Sequence, residues 1–218
     1  MVYLKDSKSI VFLATVNSHI YHFHIPFMKH LRMKGYDVEA AAAPIYGFKK
    51  NIEEENFVAF FKLFRLLKKN NYRLIHTHTP VASFFGRFAA KLAGVPSVLY
   101  TAHGFHFFDG APKKNWLLYY TAERLVARYT DALLVMNQED FENGKKLGFV
   151  PGESLFLVHG VGVDVEKFSQ VQEDKEIREE LNISNDAVVV TCIAEFIKRK
   201  NHDFLLNAWM ILLENENN

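Results

Sequence analysis

The chain has 218 residues, of which 49% are hydrophobic and 23% are charged. These proportions are typical of a soluble globular protein, and the length suits one domain with part of a second, or one large domain. A formal net charge of +1 argues against a nucleic-acid partner, because dedicated nucleic-acid binders carry a marked basic excess. The single cysteine, Cys192, excludes an intrachain disulfide and a cysteine-based metal cage.

The apolar runs of the sequence are short. None reaches the ~18–20 residues that a membrane-spanning helix needs, and residues 1–9 lack the features of a signal peptide. We therefore expect a cytoplasmic protein, either soluble or attached peripherally to the inner face of the cell membrane.

Short apolar runs alternate with segments of helical periodicity, and they predict six strands and five helices. The predicted strands are residues 10–16, 36–43, 73–76, 97–101, 132–136 and 155–158. The predicted helices are residues 26–34, 57–71, 81–92, 116–129 and 139–147. This alternation predicts an α/β fold, a Rossmann-like parallel sheet with helices on both faces.

Polar residues follow the predicted strands, and six of the ten histidines lie in these loops. The carboxyl ends of parallel strands share one edge of the sheet, where ligands bind. We therefore expect a crevice lined by imidazoles, amides and hydroxyls. The residues that follow the strands are Asn17 and His19, Pro44, His76, His78 and Thr79, His103, Gly104 and His106, Asn137, and His159, Gly160 and Gly162.

The pair His76 and His78 leaves three interpretations open. Alternate residues at a strand end face the same side, so both imidazoles could bind a metal ion together with His103 and His106. One histidine could instead be buried and hydrogen-bonded in the core. We favour the third interpretation, in which they line a polar crevice for sugar hydroxyls or phosphate, because no nearby carboxylate supplements a metal-binding set.

Glycines mark two further candidate positions. Gly104 permits a turn or the close approach of a ligand to the backbone. The aromatic residues beside it could form an apolar wall for a sugar ring, although Phe107 and Phe108 could simply belong to the core. The run from Gly160 to Gly162 could bind phosphate, but a tight turn at a domain boundary is the plainer interpretation.

The composition changes after the sixth predicted strand. Residues 1–165 form the predicted Rossmann-like domain, and residues 166–186 are predicted to be a polar linker with a helix at 175–181. A strand at 187–194 and a helix at 202–213 then begin a second domain. We expect residues 187–218 to be only the first βα unit of that domain, and therefore truncated, because one such unit cannot bury its own faces.

Two basic segments could bind anions. Arg199 and Lys200 precede the last predicted helix, where cations add to the positive end of the helix dipole, although a solvated basic loop is the alternative. The predicted helix at 57–71 combines Phe57 and Phe61 with lysines. It could lie on an anionic membrane or simply cover the sheet.

Taken together, these strings resemble glycosyltransferase family 4, bacterial enzymes of polysaccharide and capsule assembly with the two-domain GT-B fold. The resemblance extends over nearly the whole chain. It rests on Ser18-His19, Phe23-His24-Ile25-Pro26, Lys34 to Val38, Ile75 to Pro80, Thr101 to Phe107, Asn137 to Asp140, Gly160 to Asp164, Glu195-Phe196 and Arg199 to Asn201.

The resemblance implies retaining, metal-independent transfer of a sugar from a nucleoside diphosphate donor, expected to be a UDP-sugar, to a hydroxyl acceptor. The N-terminal domain would hold the acceptor, expected to be a lipid-linked glycan, and the C-terminal domain most of the donor. His103 matches the histidine that contacts the donor sugar, and is the expected catalytic residue. The residues expected to bind the donor are Lys200, Arg199, Gly104 and Gly162, and those expected to bind the acceptor are Asn17, His19, His76, His78, Thr79, His106 and Asn137.

The chain departs from the family pattern at two places. Asn17-Ser18-His19 stands where many members carry a glycine pair, and Ala194-Glu195 stands in place of Gly-Arg. The donor diphosphate would then depend on Lys200 and Arg199. Because the family's paired glutamates are expected further along, we expect the isolated chain to be inactive.

Two other functions stay open. The chain could be a non-catalytic subunit that binds a sugar or lipid-linked acceptor while a second chain completes the enzyme. It could also be a metal-dependent hydrolase built on the histidine loops.

Overall fold

A computed structural model describes residues 8–42, 54–169, 175–184 and 186–216. The chain divides into two compact units, Met1–Val163 and Asp164–Asn218, which we call the sheet unit and the C-terminal unit. The predicted Pro44 after the second strand lies outside the described residues.

The sheet unit contains six parallel strands in the order β2-β1-β3-β4-β5-β6. The strands are β1 (Ser9–Leu13), β2 (Asp37–Ala41), β3 (Leu74–His78), β4 (Ser97–Thr101), β5 (Ala132–Val135) and β6 (Leu155–Leu157). The predicted α/β fold with a Rossmann-like sheet is confirmed. From β1 the chain passes to β2 on one side and then to β3 on the other, so the loops after β1 and β3 diverge at this switch point.

Helices connect the strands. They are α1 (Asn17–Phe23), α2 (Ile25–Met33), α3 (Glu54–Asn70), α4 (Pro80–Ala93), α5 (Lys113–Asn115), α6 (Thr121–Ala127) and α7 (Gln138–Lys146). A π-helical turn, Trp116–Tyr120, joins α5 to α6, so the single helix predicted at 116–129 consists of this turn and α6. The sequence analysis predicted no helix at the position of α1.

Both faces of the sheet are buried, as alternation along β1 shows. Val11 and Leu13 pack against α3 and α4, whereas Ile10 and Phe12 belong to the cluster beside α2. The close approach of α4 depends on Gly86, because a Cβ atom there would overlap the Leu13 side chain. A rigid sheet therefore positions the loops at its carboxyl edge.

The C-terminal unit contains α8 (Val165–Ser169), α9 (Lys175–Glu180), a 3-10 turn (Lys198–Lys200) and α10 (His202–Glu216). The strand predicted at 187–194 is wrong, since these residues have no strand conformation. A strand needs a neighbour for its backbone hydrogen bonds, and the described part of this unit supplies none. Apolar side chains here are exposed, with Val188 at 84% and Ile193 at 95%.

Among the described residues, no helix is long and apolar enough to cross a membrane.

Candidate functional site

Five histidines gather at the switch point of the sheet. His19 and His24 come from the α1 region after β1, His76 and His78 from the end of β3, and His103 from the loop after β4. We call these five residues the histidine cluster. Crevices at such points are where open α/β sheets bind ligands.

The nitrogen atoms of the cluster are close together. His103 Nε2 lies 3.2 Å from His19 Nε2 and 3.3 Å from His78 Nδ1. The rings of His24 and His78 stack with their centroids 3.8 Å apart. The Nε2 atoms of His24 and His78 are buried and have no hydrogen-bond partner among the described residues.

The cluster has a buried floor and an open side. Phe12 packs below the rings, with its centroid 5.0 Å from that of His76 and 5.9 Å from that of His78. His78 is fully buried, whereas His103 is exposed. His76 is oriented by a contact of 2.8 Å between its Nε2 and Thr101 Oγ1. A ligand can therefore approach from the His103 side.

Burial keeps these imidazoles neutral. Burial, together with the nearby His19 and His103, lowers the pKa of His24 to about 3. Burial likewise lowers the pKa of His76 to about 3 and that of His103 to about 4, and holds the pKa of His78 well below its usual value. Neutral imidazoles both donate and accept hydrogen bonds, which suits hydroxyl groups.

Thr79, in the wall of the crevice, has a strained backbone conformation. Its φ of 65° and ψ of 139° are rare for a β-branched residue. The Thr79 hydroxyl accepts a hydrogen bond from the Thr15 amide at 3.1 Å and lies 2.7 Å from the Thr15 hydroxyl. These contacts tie the loop after β3 to the loop after β1.

The structure separates some predicted residues from the cluster. The metal-binding interpretation of His76, His78, His103 and His106 does not hold for that set, because the His106 ring packs on Tyr119 at 4.7 Å instead. The ring nitrogens that lie close together are those of His19, His24, His78 and His103. His106 lies further along the loop after β4, beyond the turn at Gly104. Its imidazole therefore contacts Tyr119 in the π-helical turn that precedes α6.

Asn137 and Gly104, which were predicted to bind ligands, also have structural roles. The Asn137 side chain caps α7, accepting a hydrogen bond from the Asp140 amide at 2.8 Å. Gly104 has a φ of 115°, which explains the need for glycine. Phe107 is fully buried in the core, but Phe108 is 44% exposed.

Asn17 begins α1 and is exposed at the same carboxyl edge of the sheet. Gly162 has a φ of 80° in the turn that precedes α8. These positions agree with the loops in which both residues were predicted, and their ligand contacts stay predictions.

The predicted donor cations belong to the C-terminal unit. Lys200 is exposed and ends the 3-10 turn, and Asn201, with a φ of 53°, separates it from α10. Arg199 lies in the same turn, and its side chain is outside the description. Within this unit the backbone amides of the first turn of α10 lie next to the basic segment, as the sequence predicts.

Sequence reasoning missed His24 as a site residue. It is 3% exposed and lies between α1 and α2, not directly after a strand. The string Phe23-His24-Ile25-Pro26 was the available signal, because Pro26 lies in the first turn of α2 and so marks His24 as the residue just before a new helix.

Acid should destabilise the sheet unit through these histidines. Unfolded histidines titrate near 6.5, whereas folded His24 and His76 titrate at about 3, so the unfolded chain binds more protons between these values. The free energy of unfolding of the sheet unit should therefore be highest above pH 6.5 and should fall as the pH falls toward 3. At pH 5 each of these two histidines should have lowered it by about 1–2 kcal/mol. Urea unfolding at pH 7 and pH 5, with EDTA present, measures this loss.

The variant His76→Gln should lose less stability than the wild type between pH 7 and pH 5. The exposed His30→Ala variant is the control and should keep the wild-type difference. Equal pH dependence in the wild type and His76→Gln would show that His76 is not buried neutral.

Comparison with known proteins identifies the family. The family described as Glycosyl transferase 4-like matches residues 9–137. The chain therefore belongs to the glycosyl transferase 4-like family. The matched residues include five of the six strands, β1 to β5, and all five members of the histidine cluster.

Curated relatives are longer than this chain. EpsD of Bacillus subtilis, named as a glycosyltransferase, is 36% identical over 95% of this chain and 58% of its own. The UDP-Gal:α-D-GlcNAc-diphosphoundecaprenol α-1,3-galactosyltransferase of Escherichia coli is 32% identical over 72% of this chain and 41% of its own. The chain thus spans about half the length of these relatives.

Solved structures support the fold alone. The UDP complex of MnaA from S. aureus has a TM-score of 0.57 at 13% identity, covering 80% of this chain and 50% of that one. A UDP-N-acetylglucosamine 2-epimerase structure from Listeria monocytogenes has a TM-score of 0.55 at 11% identity. The similarity covers 82% of this chain and 52% of that one.

Proposed function

We propose that this chain supplies the acceptor side of a glycosyltransferase that moves a sugar from a nucleoside diphosphate donor to a lipid-linked glycan in polysaccharide biosynthesis. The histidine cluster at the switch point carries the proposal, because it is a polar, half-open crevice in the unit that the family model matches. The relative from Escherichia coli is named for a UDP-sugar donor and a diphosphoundecaprenol-linked acceptor, which supports the substrate class.

The chemistry of the cluster suits an uncharged, hydroxyl-rich ligand. Its imidazoles are neutral near pH 7, so they offer paired donors and acceptors instead of the positive charge that phosphate requires. His19 and His76 would contact the acceptor, and the fully buried His78 would hold the His76 ring in place, because the two ring centroids lie 4.1 Å apart. The more exposed His103 would contact the donor sugar and stabilise the transition state.

We propose that transfer proceeds with retention and without a metal ion. When the anomeric C–O bond breaks, the electron pair leaves with the nucleoside diphosphate, whose added negative charge must be stabilised. Lys200 and Arg199 would supply that charge stabilisation. UDP is the proposed nucleotide.

Helix α3 supports peripheral contact with the cytoplasmic membrane surface, where a lipid-linked acceptor would be embedded. Phe57 is 53% exposed and Phe61 is 54% exposed, and Lys62 and Lys69 are exposed on the same helix. Exposed aromatic and basic side chains together favour the interface of an anionic bilayer.

A second candidate function is a non-catalytic acceptor-binding subunit whose partner chain completes the donor side. The exposed apolar side chains of α10 favour this candidate, since Phe204 is 69% exposed and Ile211 is 59% exposed. Such side chains are normally covered in a complete domain or complex.

Binding measurements with the 218-residue chain test the proposal. A polyprenyl-diphosphate-linked sugar in detergent micelles should bind, and the double variant His19→Ala/His76→Ala should weaken that binding at least about 10-fold through two lost hydrogen-bond sites. UDP-sugars should bind poorly. An unchanged acceptor affinity in the double variant, with His30→Ala as the control, would contradict the assignment of the crevice.

A further inference from the structure

We propose that His19, His24, His78 and His103 form a binding site for one divalent transition-metal ion of the zinc type. We call these four residues the imidazole site. Each offers one ring nitrogen, and the four nitrogens lie within 4.8 Å of one another. His76 is not a member, because its Nε2 contacts Thr101.

The spacing of the nitrogens approaches that of a tetrahedral metal site. Zinc–nitrogen bonds of about 2.0–2.1 Å place neighbouring ligands about 3.3–3.4 Å apart in a tetrahedron. The His19–His103 and His78–His103 nitrogen pairs already lie at 3.2 and 3.3 Å. The half-buried His19 and the exposed His103 can rotate to close the remaining separations.

Hydrogen bonding alone leaves the imidazole site incompletely satisfied. His103 Nε2 faces nitrogens of both His19 and His78, but one N–H can be directed at only one of them. The buried Nε2 of His24 also has no hydrogen-bond partner among the described residues. A cation between the rings would accept one nitrogen lone pair from each of the four histidines.

The donor set determines which metals fit. Metals bind neutral imidazole, and burial keeps these rings neutral near pH 7. Zinc, nickel and copper favour imidazole nitrogen, whereas magnesium and calcium require oxygen ligands, and this group contains none. The exposed edge of His103 provides an entry path from solvent.

The site has a consequence for activity that rests on the proposed function. Transfer needs the His103 nitrogen free for the donor sugar, and a bound metal would engage it. Zinc should therefore inhibit transfer, and EDTA should reverse the inhibition. Metal binding itself does not depend on the proposed function.

Calorimetric titration of the EDTA-treated chain, purified without a polyhistidine tag, tests the binding. We expect about one zinc ion per chain with micromolar or tighter affinity, and no binding of magnesium. The variants His19→Ala and His103→Ala should each weaken zinc binding by at least about 10-fold, since even outer partners of metal ligands contribute 10–100-fold.

The controls are His22→Ala and His30→Ala, which remove exposed histidines of α1 and α2 and should keep wild-type affinity. Circular dichroism confirms that each variant is folded. Equal zinc affinity in the wild type and His103→Ala, or no zinc binding at micromolar concentrations, would overturn the site. If the wild-type chain binds zinc but does not bind the acceptor, that result would count against the proposed function alone.

Discussion

Replacing His103 by alanine is expected to lower the rate of sugar transfer by about 10²–10³-fold, the effect of removing one group that stabilises charge in a transition state. The exposed imidazole lies at the mouth of the crevice, and burial lowers its pKa to about 4, so it acts as a neutral hydrogen-bonding group at pH 7. Initial rates with saturating acceptor, measured on the protein as its gene encodes it, give the effect.

The matched control for this prediction is His30→Ala, which removes an exposed imidazole from α2 and should leave the rate unchanged. The rates are measured with EDTA present, so that metal binding at the same residue does not contribute. A loss of less than about 3-fold in His103→Ala would remove this residue from the proposed catalytic role.

Replacing Arg87 by alanine is expected to destabilise the sheet unit by about 3–5 kcal/mol, the cost of leaving a buried charge without its partner. Arg87 is fully buried on α4 and pairs with Glu123 of α6 at 2.7 Å. Its guanidinium also lies 4.1 Å from the ring centroid of Tyr100 on β4. Urea denaturation followed by circular dichroism measures the change in the free energy of unfolding.

The exposed ion pair of Lys145 and Glu142 provides the comparison, with side-chain exposures of 42% and 47%. Lys145→Ala should cost less than about 1 kcal/mol, because water screens an exposed pair. The double variant Arg87→Met/Glu123→Leu should recover most of the stability lost in Arg87→Ala. Equal losses in Arg87→Ala and Lys145→Ala would show that the buried pair is not a structural centre.

The sheet could be predicted from the sequence because its strands are short apolar runs separated by helical periods. Their exact ends could not, since pairing with a neighbour sets them. Residue 77 pairs with Tyr100 and His78 with Thr101, so β3 extends two residues beyond its prediction. That extension places the His78 imidazole inside the sheet edge, where it is fully buried.

The candidate site was only partly predictable for similar reasons. The carboxyl ends of β1, β3 and β4, with the loops that follow them, identified His19, His76, His78 and His103, because parallel strands share one carboxyl edge. His24 was missed because a helix junction, not a strand end, positions it.

Two other predictions show that a sequence pattern alone does not determine a residue's role or a segment's structure. Asn137 was interpreted as a ligand residue, yet the spacing from Asn137 to Asp140 is also that of a helix cap, and the structure shows that cap. The strand predicted at 187–194 has the apolar, β-branched composition of a strand. Composition cannot supply the neighbouring strand that its backbone would need.

The most direct test of the central claim is transfer of labelled sugar from a panel of nucleoside diphosphate sugars to a polyprenyl-diphosphate-linked glycan. We expect the protein as its gene encodes it to transfer sugar from one of these donors with EDTA present, with the anomeric configuration retained. Acceptor-independent hydrolysis that requires zinc, with no transfer from any donor, would contradict the account.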